Sequence, residues 1–218
     1  MLLNDERVRR MRTAAQLLHR PKRRSVVELV THLTGVQAQV VSAAGLALRA
    51  RTIGLKAERV DKARLQDRSI VLTWAMRGTL HLIATDDYGW LVPLTTVPSV
   101  ANARRRLKQE GVPDDQPAKA LRLIARMLEA EGPLTRAQIA ERLQRKGIHV
   151  AGQAIAHLVW LAAAQGLICY GPEQRCALVE DWLGKSHTKP FDKLVTNIFD
   201  NNIYYKLVLK ILEFQKYI

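Results

Sequence analysis

The chain has 218 residues, enough for one large or two small domains with a buried core. Lys and Arg number 34 against 20 Asp and Glu, a formal net charge of +14, and so basic a balance points to a polyanionic partner, nucleic acid first. The 2 cysteines argue against a disulfide scaffold and a structural zinc cluster, and no apolar run nears the ~18 residues a membrane span needs. The opening Met1-Leu2-Leu3-Asn4-Asp5-Glu6-Arg7 turns charged before any apolar leader develops, so a cytoplasmic protein with no membrane partner is expected.

Helical signals dominate. Asn4 is placed to cap a helix running to about Leu18, with Val8, Met11, Ala15 and Leu18 on one face. Pro21 and the basic Lys22-Arg23-Arg24 break it. Ser25-Val26-Val27-Glu28 reads as a capping box that opens a second helix, and Gly35 closes it. A third helix is expected from about Gln37 to Ala50, its core stripe Val41, Ala44 and Leu48. Two strand-like runs follow, Ile70–Met76 and Thr79–Ile83, joined at Arg77-Gly78. Helices and hairpin together read as a helix-turn-helix with a β-wing. A short helix through Trp90 and an exposed one over 97–111, carrying Arg104-Arg105-Arg106, come next.

Asp114-Asp115-Gln116-Pro117 marks a boundary, and the pattern then repeats in outline. A helix over 117–130 ends near Gly132-Pro133. Thr135-Arg136-Ala137-Gln138 is a second capping box, opening a helix to 146 that Gly147 stops. A helix over 152–165, stopped by Gly166, leads to strands at 167–170 and 175–179 around Gly171-Pro172-Glu173-Gln174. The fold class is therefore mainly α with small β wings, a tandem winged helix-turn-helix. The units are residues 1–113 and 114–184. Residues 185–218 form a compositionally foreign tail: beyond Arg175 there is no arginine, and 186–218 lack Ala and Gly but hold all 3 Phe. A frame-shifted tail and an ordinary terminal helix with Ile203, Leu207, Ile211 and Phe214 in a stripe both fit.

Gly78 suits a tight turn from which Arg77 reaches a phosphate. Thr79 and His81 alternate with Leu80 and face one side, and Trp74 and Arg77 flank the same surface; a plain hairpin with a polar outer face fits the residues too. The helix over 152–165 carries no Lys or Arg, so it reads as scaffold and not as a base reader. Cys169 and Cys176 face each other if the turn is Gly171–Gln174, and two thiols are expected. His19, His32, His149, His157 and His187 stand alone. No metal-ligand spacing, phosphate loop or Ser-His-Asp order is present, and no cofactor is expected.

Three stretches together carry a resemblance: Val36-Gln37-Ala38-Gln39, then Ala43-Ala44-Gly45-Leu46-Ala47-Leu48-Arg49-Ala50-Arg51, then Thr73-Trp74-Ala75-Met76-Arg77-Gly78-Thr79-Leu80-His81-Leu82. Over about residues 5–184 the chain resembles the AlkZ/YcaQ-like winged-helix DNA glycosylases, which remove alkylated purines and unhook interstrand crosslinks. The resemblance implies that Gln37 and Gln39 are the catalytic pair. It implies double-stranded DNA, alkylated or crosslinked, as the partner. Arg49, Arg51 and Arg77 then become phosphate contacts, and Trp74, Thr79 and His81 share the DNA-binding surface. Family members are longer, with a further winged helix and a β-rich part, so a truncated member, with a homodimer covering an exposed apolar face, is one expectation. A non-catalytic winged-helix regulator is the alternative reading. On an ideal helix residues i and i+2 lie about 200° apart, so two glutamines sharing one water require Gln37 in the non-helical entry after Gly35 or DNA straddling Ala38, and the motif is expected at the helix's first turn.

Overall fold

A computed structural model describes residues 4–184, and the expectations for 185–218 fall outside them. The described helices are α1 (Asp5–Ala15), α2 (Val26–His32), α3 (Val41–Arg49), α4 (Ala57–Asp61), α5 (Tyr88–Gln109), α6 (Gln116–Glu131), α7 (Arg136–Arg145), α8 (Ala154–Ala164) and α9 (Val179–Leu183). Strands β1 (Val36–Gln37), β2 (Ile70–Trp74), β3 (Leu80–Ala84), β4 (Ile168–Tyr170) and β5 (Cys176–Leu178) make one antiparallel sheet in the order β1-β3-β2-β4-β5. The fold is mainly α with a small β component, as the sequence pattern predicts. None of the described helices is long and apolar enough to cross a membrane.

Local signals act where they are written. The Asn4 Oδ1 accepts the Arg7 N–H at 2.9 Å. Ser25 and Thr135 each form a complete capping box, with Glu28 and Gln138 closing back on the cap. The two hairpins turn alike. In the first, the Ala75 N–H donates to the Thr79 carbonyl at 3.1 Å; in the second, the Gly171 N–H donates to the Arg175 carbonyl at 2.8 Å.

The hairpins do not stand apart as separate wings. Leu72 pairs with Tyr170, so β2 and β4 join edge to edge, and the Trp74 and Tyr170 rings meet at 4.9 Å between centroids. Each hairpin thereby covers an edge that would otherwise expose unpaired backbone. Both faces of the joined sheet are packed. Val36, Ala38, Ile70, Leu72, Leu82 and Ala84 join the main helical core. Val71, Ala75 and Ile83 face the other way, against Tyr88, Leu91 and Val92 of α5 and Trp182 of α9. Burial on both faces explains why Ile70-Val71-Leu72 and Leu82-Ile83-Ala84 are unbroken apolar runs.

Three elements differ from expectation. The helix expected from Gln37 begins at Val41, because Val36 and Gln37 pair with Leu82 and His81, and the Ala38 N–H donates to the Leu80 carbonyl at 2.7 Å. The short helix near Trp90 and the one over 97–111 are a single helix, α5, despite Pro93 and Pro98. Packing against α8 overrides the two breaks: the buried Thr96 hydroxyl sits 2.7 Å from the Val92 carbonyl and 3.2 Å from that of Ala164. Cys169 and Cys176 are free and do not face each other. The register pairs Tyr170 with Cys176 and Cys169 with Ala177, which puts the two thiols on opposite faces. Helix α8 is core, with Leu158 through Ala164 all buried, which fits a scaffold role.

Candidate active site

Gln37 sits on strand backbone and Gln39 at a bend just beyond it, and neither is on a helix. Gly35 (φ +116°) ends the turn after α2, the chain then runs as strand through Val36 and Gln37, and it bends at Gln39 on the way into α3. Val36 and Ala38 are buried while Gln37 and Gln39 are exposed. With Val36 and Ala38 turned into the core, both amides are left on the solvent side. The geometric conflict of a helical motif disappears.

Gln37 lies directly across from His81, and His81 directly across from Thr73. Residues opposite each other in antiparallel pairing share a face, so Gln37, His81 and Thr73 form a polar row across β1, β3 and β2. The Gln39 Oε1 accepts the Leu80 N–H at 3.0 Å. That amide oxygen takes the place of a backbone carbonyl at the strand end and fixes the side chain beside the row. No second donor reaches that oxygen among the described residues, which leaves its other lone pair open.

His81 is buried, at 4% exposure. Its Nδ1 lies 2.9 Å from the Thr79 carbonyl oxygen. Burial lowers its pKa below the ordinary imidazole range; the Thr79 bond opposes this, and the nearby Arg77 charge adds to it. Behind His81 the row ends on Thr73 and on Tyr88 at the start of α5. Thr73 Oγ1 and Tyr88 Oη are sealed from solvent and approach each other without reaching hydrogen-bond geometry. Burial, with Cys169 nearby, pushes the Tyr88 phenol well above its usual pKa, and the Thr73 hydroxyl works against that.

The remaining candidates divide. Arg77 and Thr79 border the row from the hairpin turn. Arg77 is exposed, in left-handed backbone at φ 58°, and the Thr79 hydroxyl donates to the Met76 carbonyl at 3.1 Å. Gly78 (φ +70°) follows it, and a Cβ there would lie 3.3 Å from Trp160 Nε1. Trp74 pairs with Leu80 and stacks on Tyr170, so it packs on the core side of the sheet, away from the row. Arg49 is exposed at the end of α3. Arg51 is half-buried, donating to the Ala47 carbonyl at 2.7 Å and to Gln16 Oε1 at 3.3 Å. Elsewhere, a cavity of about 450 Å³ is lined by the cations Arg23, Arg24, Arg59 and Lys62 and includes neither glutamine. Sequence reasoning missed Thr73 and Tyr88. Counting back from the Arg77-Gly78 turn finds Thr73 opposite His81; nothing in the sequence signals Tyr88. No group of three or more His, Cys, Asp or Glu able to hold a metal occurs among the described residues.

The family model described as "DNA glycosylase AlkZ-like" matches residues 30–209, past the change of composition near 185. An interstrand DNA cross-link repair glycosylase of Streptomyces sahachiroi is 31% identical over 178 residues, covering 75% of this chain and 45% of its own length. The structure of the Streptomyces sahachiroi DNA glycosylase AlkZ superposes with a TM-score of 0.70 at 25% identity, covering 91% of this chain and 56% of that one. The chain thus spans about half the length of these relatives.

Proposed function

The chain belongs to the AlkZ-like DNA glycosylase family, and we propose that it is a monofunctional DNA glycosylase acting on alkylated or crosslinked purines in double-stranded DNA. The observation that carries this reading is the pair of exposed amides, Gln37 and Gln39, held on one face beside the buried His81. An N7-alkylated purine is a cation and departs without being protonated. What remains is to hold a water at the sugar C1′ and to stabilise the oxocarbenium charge as it develops. Fixed amide dipoles do both, and an intact purine, a poorer leaving group, is left alone. In this reading Gln37 and the open lone pair of Gln39 Oε1 grip the water. Arg49, Arg51 and Arg77 contact phosphates, Thr79 and His81 line the DNA-facing side of the hairpin, and Trp74 supports it from behind.

The net charge of +14 supports a DNA partner. We assign the two units, residues 1–113 and 114–184, to winged helices whose hairpins share a sheet, in a protein working in the cytoplasm. The test is base excision. The chain is incubated with duplex DNA carrying N7-methylguanine, and abasic sites are revealed with alkali. Release by the wild type and none by Gln37→Ala/Gln39→Ala, with circular dichroism unchanged, is expected. Because the chain spans about half of its relatives, the competing reading is a DNA binder without activity. A folded wild type that binds the duplex and releases no base would establish that reading instead.

A further inference from the structure

Proton balance exposes a step the glutamines cannot perform. As an N7-alkylpurine leaves, the C1′–N9 bond breaks and its electron pair returns to the base, which departs neutral. The water oxygen bonds C1′, and one water proton must then go elsewhere. A carboxamide is protonated only in strong acid, so Gln37 and Gln39 cannot take it. Tyr88 is held as a neutral phenol, and Thr73 and Thr79 are alcohols.

We propose that His81 is the catalytic base of this site: its Nε2, beside Gln37 on the same sheet face, takes the proton that the attacking water gives up. The inference rests on the glycosylase reading. Three observations carry it. First, the Ala38 N–H to Leu80 carbonyl bond makes the neighbouring Gln37–His81 pair a non-hydrogen-bonded one, the kind whose side chains lie closest, with Cα atoms about 4.5 Å apart. Second, the Thr79 carbonyl can only accept, so Nδ1 carries the proton in the neutral ring, and the lone pair is left on Nε2. Third, Nε2 has no hydrogen-bond partner among the described residues. His81 is thus a buried imidazole directly across from Gln37, with its basic lone pair on a nitrogen that no described residue occupies.

The surroundings keep it ready. Burial favours the neutral ring, and Arg77 at the turn acts in the same direction. Tyr88 on α5 stays uncharged, and β1 and β2 present Gln37 and Thr73, which do not titrate. The imidazolium formed in the reaction is therefore short-lived and passes its proton to solvent.

The experiment is single-turnover excision of N7-methylguanine from a duplex by the full chain, from about pH 5 to 8, with uncatalysed loss subtracted. The wild-type rate should fall tenfold per pH unit below a single ionisation under the ordinary histidine value of 6.5. His81→Asn keeps an N–H toward Thr79, and His81→Gln keeps a polar atom near Nε2; neither takes a proton. Both should lose about 100-fold near neutral pH with substrate saturating and circular dichroism unchanged, and lose the acid limb. A wild-type rate that is flat with pH would overturn the proposal while leaving the glycosylase reading intact. So would a His81→Asn protein that keeps its rate, since that would make His81 purely structural. A folded wild type releasing no base would refute the glycosylase reading and this inference with it.

Discussion

Gly35 is the joint on which the candidate site hangs, and replacing it measures how tightly the site is built. Its φ of +116° is one that side chains rarely adopt, and an added Cβ would lie 3.1 Å from Ile83 Cγ2 and 3.2 Å from Met76 Cε. Backbone strain of this kind costs about 1–2 kcal/mol. Intrusion into packed neighbours adds about 1–3 kcal/mol. Alanine returns about 0.4–1 kcal/mol by restricting the unfolded chain. Gly35→Ala should therefore destabilise by about 2–4 kcal/mol, and Tm should fall by roughly 5–15 °C. Two other glycines separate the contributions. Gly54 (φ +76°) has nothing within 4 Å of an added Cβ, so Gly54→Ala carries backbone strain alone, about 1 kcal/mol. Gly45 lies inside α3, also with nothing within 4 Å and no positive φ, so Gly45→Ala should stabilise by about 0.5–1 kcal/mol. Thermal and urea unfolding followed by circular dichroism read all three. Ile83 and Met76 border the polar row, so any shift that accommodates the new methyl also moves Gln37 relative to His81. Base excision should then drop at temperatures where the variant is still folded. A Gly35→Ala protein within about 0.5 kcal/mol of wild type, or one less affected than Gly54→Ala, would refute the close packing inferred at this joint.

Gln39→Ala removes the acceptor of the Leu80 N–H and should cost about 0.5–1.5 kcal/mol in urea unfolding, whereas Gln39→Glu keeps an acceptor there and should cost less. Burial raises both thiols, Cys176 to about 12, so neither cysteine should alkylate at neutral pH until the protein unfolds; rapid native labelling would contradict their placement. Duplex affinity should fall steeply with salt, and Arg77→Ala should reduce the log–log slope by about 1 if that exposed side chain neutralises a phosphate. Hydrogen bonds from Arg142 hold the Glu131 carboxyl below its ordinary 4.5, so this contribution to stability is present above that value and fades as pH falls through the folded pKa. Glu131→Gln should flatten that part of the acid-unfolding curve.

What was legible in the sequence is what is decided locally. A capping box needs only residues 25 to 28 or 135 to 138, and both form where they are written. Glycine stops at 147 and 166 work in the same way, each with positive φ. The failures share the opposite property. Pro93 and Pro98 argue for a break, yet α5 runs through both because α8 packs against it. Each hairpin was readable by itself, but nothing within either predicts that Leu72 will pair with Tyr170. Joining the two is a choice made between segments about a hundred residues apart, on edges whose sequences only say that they are apolar.

The glutamine motif shows how a pattern can be outweighed by its neighbour. Val41, Ala44 and Leu48 form a strong helical stripe, and extending it backwards draws Gln37 into the helix. Yet Val36-Gln37-Ala38-Gln39 alternates apolar and polar at period 2, which is the signature of extended backbone with one face buried. The structure follows that alternation, with Val36 and Ala38 turned into the core. A two-residue strand has too few positions to win on pattern strength alone; it forms because β3 offers an edge and Gly35 turns the chain onto it. The chemistry offered the deciding clue. Two amides required to act on one water cannot sit opposite each other on a helix, and extended backbone is the simplest geometry that aligns residues i and i+2. From there the rest of the site follows by register: whatever lies opposite Gln37 on β3 is its nearest cross-strand neighbour, and that residue is the one histidine on the strand.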